Sequence, residues 1–350
     1  MKRLPKALIA AVVIGSVTLV AGCSEEGEPV SFDGPSAKVP APQQVGNGVP
    51  ATAAQKAAAE AAAKSVMPTG PKSSFLTANS LDDGTKIGVT TVEGKKSGFT
   101  GKVWVWAPKQ YFDPAYANSG FPILIALPGG IGYPKNYWMG TDLKLQRNIT
   151  KWSQEGKSLP FVVVMPILNP DADYYYDGSD IPGRPRMGTW MTEDIPDFVK
   201  ANFRTFKSRD GWAFMGSSSG GFVGLKSVLQ RPDQFKAVIA SGPDIVPDSP
   251  LWAGHEKERQ ANNPEKLAAA LSTKPVTKDN EIYLGFQIGT RESGLNKVKS
   301  FMKKYGKGPV KTRLQVIQNG QHNAKSYVRG MGEGTIKWIS DHMQAPIRVE

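Results

Sequence analysis

Apolar runs that alternate with helix-like segments predict an α/β fold, with a mostly parallel central sheet flanked by helices. Three observations carry that expectation. The segments at 121–127 (Phe-Pro-Ile-Leu-Ile-Ala-Leu) and 161–166 (Phe-Val-Val-Val-Met-Pro) are nearly unbroken apolar runs, as strands buried on both faces must be. Strand-like and helix-like segments take turns from about residue 75 onward. The chain has 350 residues, 40% apolar and 21% charged, which suits one soluble catalytic domain with extras and excludes a polytopic membrane protein.

Taken in order, 86–92 and 101–107 read as a first strand pair. Further strands are expected at 121–127, 161–166, 211–215, 235–241, 281–288 and 312–318. Helices are expected at 143–155, 192–202, 220–231, 264–271, 295–305 and 335–343. The helix at 220–231 places Phe222, Leu225, Val228 and Leu229 on one face. Residues 243–280, which carry Trp252, read as an insertion over the sheet, a small lid or a helical excursion. In such sheets the chemistry sits at the carboxyl ends of the strands.

The N-terminus reads differently. Lys2, Arg3 and Lys6 precede an uncharged run from Ala7 to Ala21, shorter than the roughly 20 residues that span a bilayer comfortably and typical of a signal peptide. The run ends Leu19-Val20-Ala21-Gly22-Cys23, with the only cysteine last. That resembles a bacterial lipobox, so residues 1–22 are expected to be a lipoprotein signal peptide and Cys23 a lipidated N-terminus. This implies an extracytoplasmic, membrane-anchored protein of the bacterial envelope. Residues 23–75, rich in Ala, Pro, Gly and Ser, read as a low-complexity linker. Within it Lys56 to Lys64, with Glu60 four residues before Lys64, predicts a short helical strut. The folded domain is expected over 76–350.

One cysteine excludes an intrachain disulfide, a four-cysteine zinc site and an iron–sulfur cluster. The net charge is +12, and residues 1–75 hold seven basic and five acidic side chains, so most of the excess lies in the domain. These charges are scattered and no nucleic-acid motif accompanies them, so no nucleic-acid partner is expected.

Gly216-Ser217-Ser218-Ser219-Gly220 fits G-x-S-x-G. An apolar strand enters it and an amphipathic helix leaves it, the context that makes the motif a nucleophile elbow. Ser218 is the central serine, and Gly216, Gly220 and Gly221 give room for its tight turn.

The stretches at 103–111, 122–130, 163–166, 192–198 and 216–235 fall in an order and at a spacing that resemble the esterase-D-like branch of the α/β-hydrolases, which includes the mycolyltransferases. The resemblance covers about 86–340. It implies the α/β-hydrolase fold and a serine hydrolase or acyltransferase with no metal and no cofactor. The partners of the serine follow it in the order acid, then histidine. His322 lies in a glycine-containing loop after the last strand, where the general base belongs. His255 precedes two strands, and His342 lies in the final helix and reads as solvated. Glu292, just past the strand at 281–288, is the first choice for the acid; Asp244, one strand earlier, is the alternative. Many relatives have Asp where this chain has Glu292. The catalytic set is therefore Ser218, His322 and Glu292.

The oxyanion-hole donors are expected to be the N–H of Ser219 and, by the resemblance, that of Gly130, with Ile131 beside it; Pro128 has no N–H. The aromatic and acidic run from Asp171 to Asp180 fails the spacing of a calcium loop and reads as a wall of the cleft. Tyr133, Tyr137 and Trp138 read as stacking surface for a sugar or acyl chain. The leading expectation is an exported serine esterase acting on small-molecule or envelope esters. The alternatives are an acyltransferase to a sugar or glycerol hydroxyl, and an inactive envelope binding lipoprotein.

Overall fold

The computed structural model describes residues 27–38 and 52–350; Cys23 and the expected signal peptide lie outside the described residues. In chain order the elements are β1 (Pro29–Val30), α1 (Ala53–Lys64), β2 (Ser65–Val66), β3 (Phe75–Ser80), β4 (Lys86–Glu93), β5 (Thr100–Trp106), β6 (Ile123–Leu127), α2 (Leu145–Gln154), β7 (Val162–Pro166), α3 (Met187–Thr189) and α4 (Ile195–Asn202). They continue with β8 (Thr205–Phe206), β9 (Trp212–Ser217), α5 (Ser219–Gln230), β10 (Ala237–Ser241), α6 (Glu256–Ala261), α7 (Pro264–Ser272), β11 (Ile282–Gly289), α8 (Leu295–Tyr305), β12 (Val310–Ile317), α9 (Ala324–Gly330) and α10 (Ile336–Ser340).

Among the described residues ten strands form one sheet in the order β1-β3-β4-β5-β7-β6-β9-β10-β11-β12. From β7 to β12 every pairing is parallel. From β1 to β7 every pairing is antiparallel. The apolar runs behave as their composition demands, since all five residues of β6 and of β7 are buried. Alternate side chains serve opposite faces: Ile123, Ile125 and Leu127 join a core with α4, α5, α7 and α8, while Leu124 and Ala126 join one with α2, α9 and α10. This three-layer arrangement is the expected mostly parallel α/β fold.

The stretch expected to be a linker up to residue 75 is, in its described parts, built into the domain. The Gly27 N–H donates to Thr77 O at 2.8 Å, and β1 pairs with β3. Phe32 is buried and packs edge-on against Phe75 and Phe203 at 5.0 and 5.4 Å. Burying one such side chain contributes about 1.5–3 kcal/mol, so a single aromatic seats a strand that composition alone reads as tether. The expected helix forms as α1, with a Thr52–Gln55 capping box and the Glu60–Lys64 pair at 2.6 Å. It is no free strut: Ala58 and Ala61 are buried, β2 pairs with β8, and Lys207 Nζ donates to Ala63 O at 2.8 Å.

The segment 243–280 divides in two. Helix α7 is the crossover between β10 and β11 and buries Ala268 and Leu271 in the core. The part before it is a helical excursion, anchored by buried Trp252, whose Nε1 donates to Asp177 Oδ2 at 2.7 Å.

Candidate active site

Ser218 sits between β9 and α5 with φ 53° and ψ −122°, a conformation costly for a side chain with a Cβ. The surroundings leave it no alternative. A Cβ on Gly216 would strike the backbone of Gly220, and one on Gly220 would strike Pro128 O and Leu127. The Ser218 N–H is held by Ser241 O at 2.8 Å. Ser219 opens α5, so its N–H is one of the unpaired donors at the helix start. Gly130 follows β6 with φ +68°; its carbonyl accepts from Ser219 Oγ at 2.7 Å. The preceding Gly129 N–H donates to Tyr137 OH at 2.7 Å. Tyr137 OH also hydrogen-bonds buried Ser217 Oγ. The loop after β6 is thus tied to the elbow from both sides.

His322 lies in the loop between β12 and α9, and its Nδ1 is 2.8 Å from Glu292 Oε2. The Glu292 side chain is only 2% exposed, that of His322 52%. Glu292 Oε1 accepts the Gly289 N–H, and Oε2 also accepts the Tyr327 hydroxyl at 2.7 Å. Burial pushes the Glu292 pKa up, but the hydrogen bonds from His322, Gly289 and Tyr327 outweigh it and hold the carboxyl below its usual range. The bond to Glu292 raises the pKa of His322 above the usual histidine value, against the effect of burial, with Asp244 adding a smaller charge effect. Asp244 itself is exposed and reaches His322 only through that charge.

Ser218, His322, Tyr327, Gly130, Tyr137 and Tyr175 border one open cleft of about 530 Å³. Among the described residues no hydrogen bond joins Ser218 Oγ to His322. The structure therefore brings together Ser218, Ser219, Gly130, His322 and Glu292. His255 starts α6, outside the cleft lining. His342 is not simply solvated as expected: it is half-buried and stacked on Tyr283, with centroids 3.9 Å apart and 18° between planes.

The cleft wall holds both agreements and corrections. Tyr175 of the 171–180 loop lines it. Tyr176 instead turns inward, and its hydroxyl donates to Asp171 Oδ2 at 2.6 Å. Of the expected stacking residues only Tyr137 borders the cleft. Trp138 is fully buried, because its Nε1–H donates to Leu127 O at 2.8 Å; Tyr133 lines a separate groove beside Trp104. Among the described residues no group of three or more His, Cys, Asp or Glu is arranged to hold a metal ion.

Two residues escaped sequence reasoning. Lys226 of α5 is fully buried, and its Nζ donates to Asp177 O at 2.9 Å, Ser179 Oγ at 2.6 Å and Gly178 O. It pins the loop that presents Tyr175, and burial pushes its pKa down to about 8. A lysine four residues after Phe222, on the core side of α5, was the available signal. The other is Tyr327, in the short and largely polar α9, where no hydrophobic period marks it.

The Esterase family model matches residues 99–341, which covers the elbow, the loop after β6, Glu292 and His322. The chain belongs to the Esterase family. Solved structures similar to this esterase include a ferulic acid esterase (16% identity, TM-score 0.59, covering 74% of this chain and 98% of the other). An S-formylglutathione hydrolase from Agrobacterium tumefaciens has 18% identity and TM-score 0.56, covering 74% and 96%. A fluorophosphonate-binding serine hydrolase of Staphylococcus aureus has 15% identity and TM-score 0.56, covering 73% and 98%. At these identities they establish the shared α/β-hydrolase fold. An uncharacterised protein of Corynebacterium glutamicum is 23% identical over 190 residues, 51% of this chain and 42% of that protein. The chain thus spans about two fifths of that curated relative's length. The family match and the shared fold both agree with the geometry of this cleft.

Proposed function

We propose that this esterase is an exported, lipid-anchored hydrolase of carboxylic esters in the bacterial envelope, working through Ser218, His322 and Glu292. The observation that supports the reading is the 2.8 Å bond between His322 Nδ1 and the buried Glu292 Oε2, beside a serine in the elbow conformation. With its proton on Nδ1, His322 keeps a lone pair on Nε2. As Ser218 Oγ bonds to the ester carbonyl carbon, Nε2 takes the hydroxyl proton. The carbonyl oxygen becomes an oxyanion, received by the N–H groups of Gly130 and Ser219. Collapse breaks the ester C–O bond, and the Nε2 proton goes to the leaving alkoxide. Water then attacks the acyl-enzyme, His322 takes its proton, and Ser218 regains a proton as the acid departs.

The cleft favours a small uncharged ester. Among the described residues that line it, Asp142 is the one carboxylate and there is no lysine or arginine. Tyr137 and Tyr175 offer flat apolar surface. An aromatic or simple acyl ester suits this lining. A glutathione thioester, which carries carboxylates, would meet Asp142.

The proposed anchor at Cys23 is four residues from Gly27, which is already fixed to β3. Four residues span at most about 14 Å, so a lipid on Cys23 would hold the domain against the membrane surface, not on a long tether. Two measurements test the reading. Purified enzyme should release free acid from neutral aromatic esters, with or without an added sugar or glycerol acceptor. Acyl transfer to that acceptor as the main product would make it an acyltransferase, and no turnover at all would make it a binding protein. Cys23→Ser should leave the membrane fraction or stay unprocessed; unchanged cleavage and membrane retention would exclude the anchor.

A further inference from the structure

We propose that Tyr327 is a positioning residue of this active site, holding Glu292 in place and fixing the proton of His322 on Nδ1. The proposal rests on the serine-esterase reading and goes beyond its three residues. Tyr327 is almost completely buried. Its hydroxyl is 2.7 Å from Glu292 Oε2 and 2.9 Å from His322 Nδ1, so three polar atoms form one triangle. Its ring meets that of His322 edge-on, 87° between planes.

The space for this triangle is kept by Gly242, at the end of β10 with φ +53°. A Cβ there would lie 2.8 Å from both Glu292 Oε2 and His322 Nδ1, and would collide with the Tyr327 hydroxyl. The three groups therefore converge over one point of bare backbone. Helix α9 delivers Tyr327 to it. The helix starts where Asn323 Oδ1 accepts the Ser326 N–H at 2.9 Å, directly after His322.

Proton counting gives the role. An ionised carboxylate can only accept, so the single Tyr327 proton goes to Glu292. The phenolic oxygen keeps its lone pairs. The contact to Nδ1 then requires Nδ1–H as donor, shared between Glu292 and Tyr327. Both neighbours of Nδ1 are acceptors toward it, and Nε2 is left bare toward the cleft, the tautomer a general base needs. The length of the acid supplies the second part. Glutamate has one more rotatable bond than aspartate, and so needs more holding at this distance. Gly289 N–H fixes Oε1 and Tyr327 fixes Oε2.

Tyr327 also tempers the carboxylate. By taking part of the charge on Oε2 it limits how strongly Glu292 stabilises a protonated His322. The other ionisable groups facing this cluster are Asp244 after β10, Tyr137 across the cleft and Asp142 on the cleft wall. Arg291 turns to Asn319 instead.

The test is Tyr327→Phe, which keeps the ring and removes only the hydroxyl. The expected result is a fall of about tenfold in kcat with KM within about twofold, because orientation matters most in the transition state. The acid limb of the kcat/KM profile should move up by about half a pH unit, since Glu292 then acts on His322 with its full charge. In a Glu292→Gln background the same substitution should have almost no further effect. An unchanged acid limb with unchanged kcat would overturn the proposal, as would an equal loss in the Glu292→Gln background. Nitrogen NMR of His322 in the unsubstituted enzyme gives a second readout that needs neither substrate nor variant. Protonation on Nδ1 at neutral pH supports the triangle, and protonation on Nε2 overturns it. An enzyme that turns over no ester but shows the Nδ1 proton would sink the esterase reading and leave the triangle standing.

Discussion

Replacing Glu292 with Gln keeps the shape of the side chain and changes what it can accept. The carboxylate receives three donors: Gly289 N–H on Oε1, and Tyr327 O–H and His322 Nδ1–H on Oε2. An amide has one oxygen. If that oxygen stays on Gly289, the NH2 faces Tyr327 and His322, and both bonds are lost or reversed. Hydrogen bonds to a charged group contribute about 1.5–3 kcal/mol each, and at 2% exposure water offers little replacement. The two bonds sum to roughly 3–6 kcal/mol, part of it already lost in the resting enzyme. His322 can accept from the NH2 only by moving its proton to Nε2, which removes the base. We expect kcat to fall about a thousandfold, about 4 kcal/mol of barrier, with little change in KM. Asp244→Asn should change kcat about twofold or less, since Asp244 is exposed and acts on His322 only by charge. Steady-state kinetics on a chromogenic ester, with circular dichroism to confirm folding, reads both. A folded Glu292→Gln enzyme within tenfold of the parent, beside a crippled Asp244→Asn, would move the acid to Asp244 and refute the reasoning.

The pH profile carries its own sign. In the proposed mechanism His322 must be neutral to accept the Ser218 proton, and its pKa is raised by the bond to Glu292. Activity should therefore begin to fall, as pH drops, above the ordinary histidine value of 6.5; an acid limb clearly below 6.5 would contradict the pairing. Tyr137→Phe removes the acceptor of the Gly129 N–H and the partner of Ser217. That should loosen the oxyanion loop and lower kcat about tenfold while leaving Ser218 reactive. Unaltered kcat in a folded variant would show that Gly129 is held by other means.

The parts legible in the sequence were those with a strong local cause. Strands β6 and β7 announced themselves because burial on both faces forces unbroken apolar runs. Ser218 did so because its turn excludes side chains at Gly216 and Gly220. That His322 and Glu292 meet followed from strand order, since parallel strands deliver their loops to one edge of the sheet. What stayed hidden depends on contacts distant in sequence. The seating of β1 rests on Phe32 meeting Phe75 and Phe203, which no local period encodes. An alanine-rich helix reads as a strut until Ala58 and Ala61 are seen buried. Tyr327 is placed by α9, one face of which packs on the β11–β12 edge, and its hydroxyl gains meaning only beside Gly242. His342 looked solvated because its partner, Tyr283, comes from a strand some sixty residues earlier in the chain.

The central claim is that Ser218 is the nucleophile of this esterase. Its most direct measurement is to treat the folded enzyme with a fluorophosphonate and locate the adduct by peptide mass spectrometry. A single adduct on Ser218, absent from Ser218→Ala and retained in Ser217→Ala and Ser219→Ala, is the predicted result. An adduct on Ser217 or Ser219, or labelling that survives in Ser218→Ala at the same residue-specific yield, would contradict it.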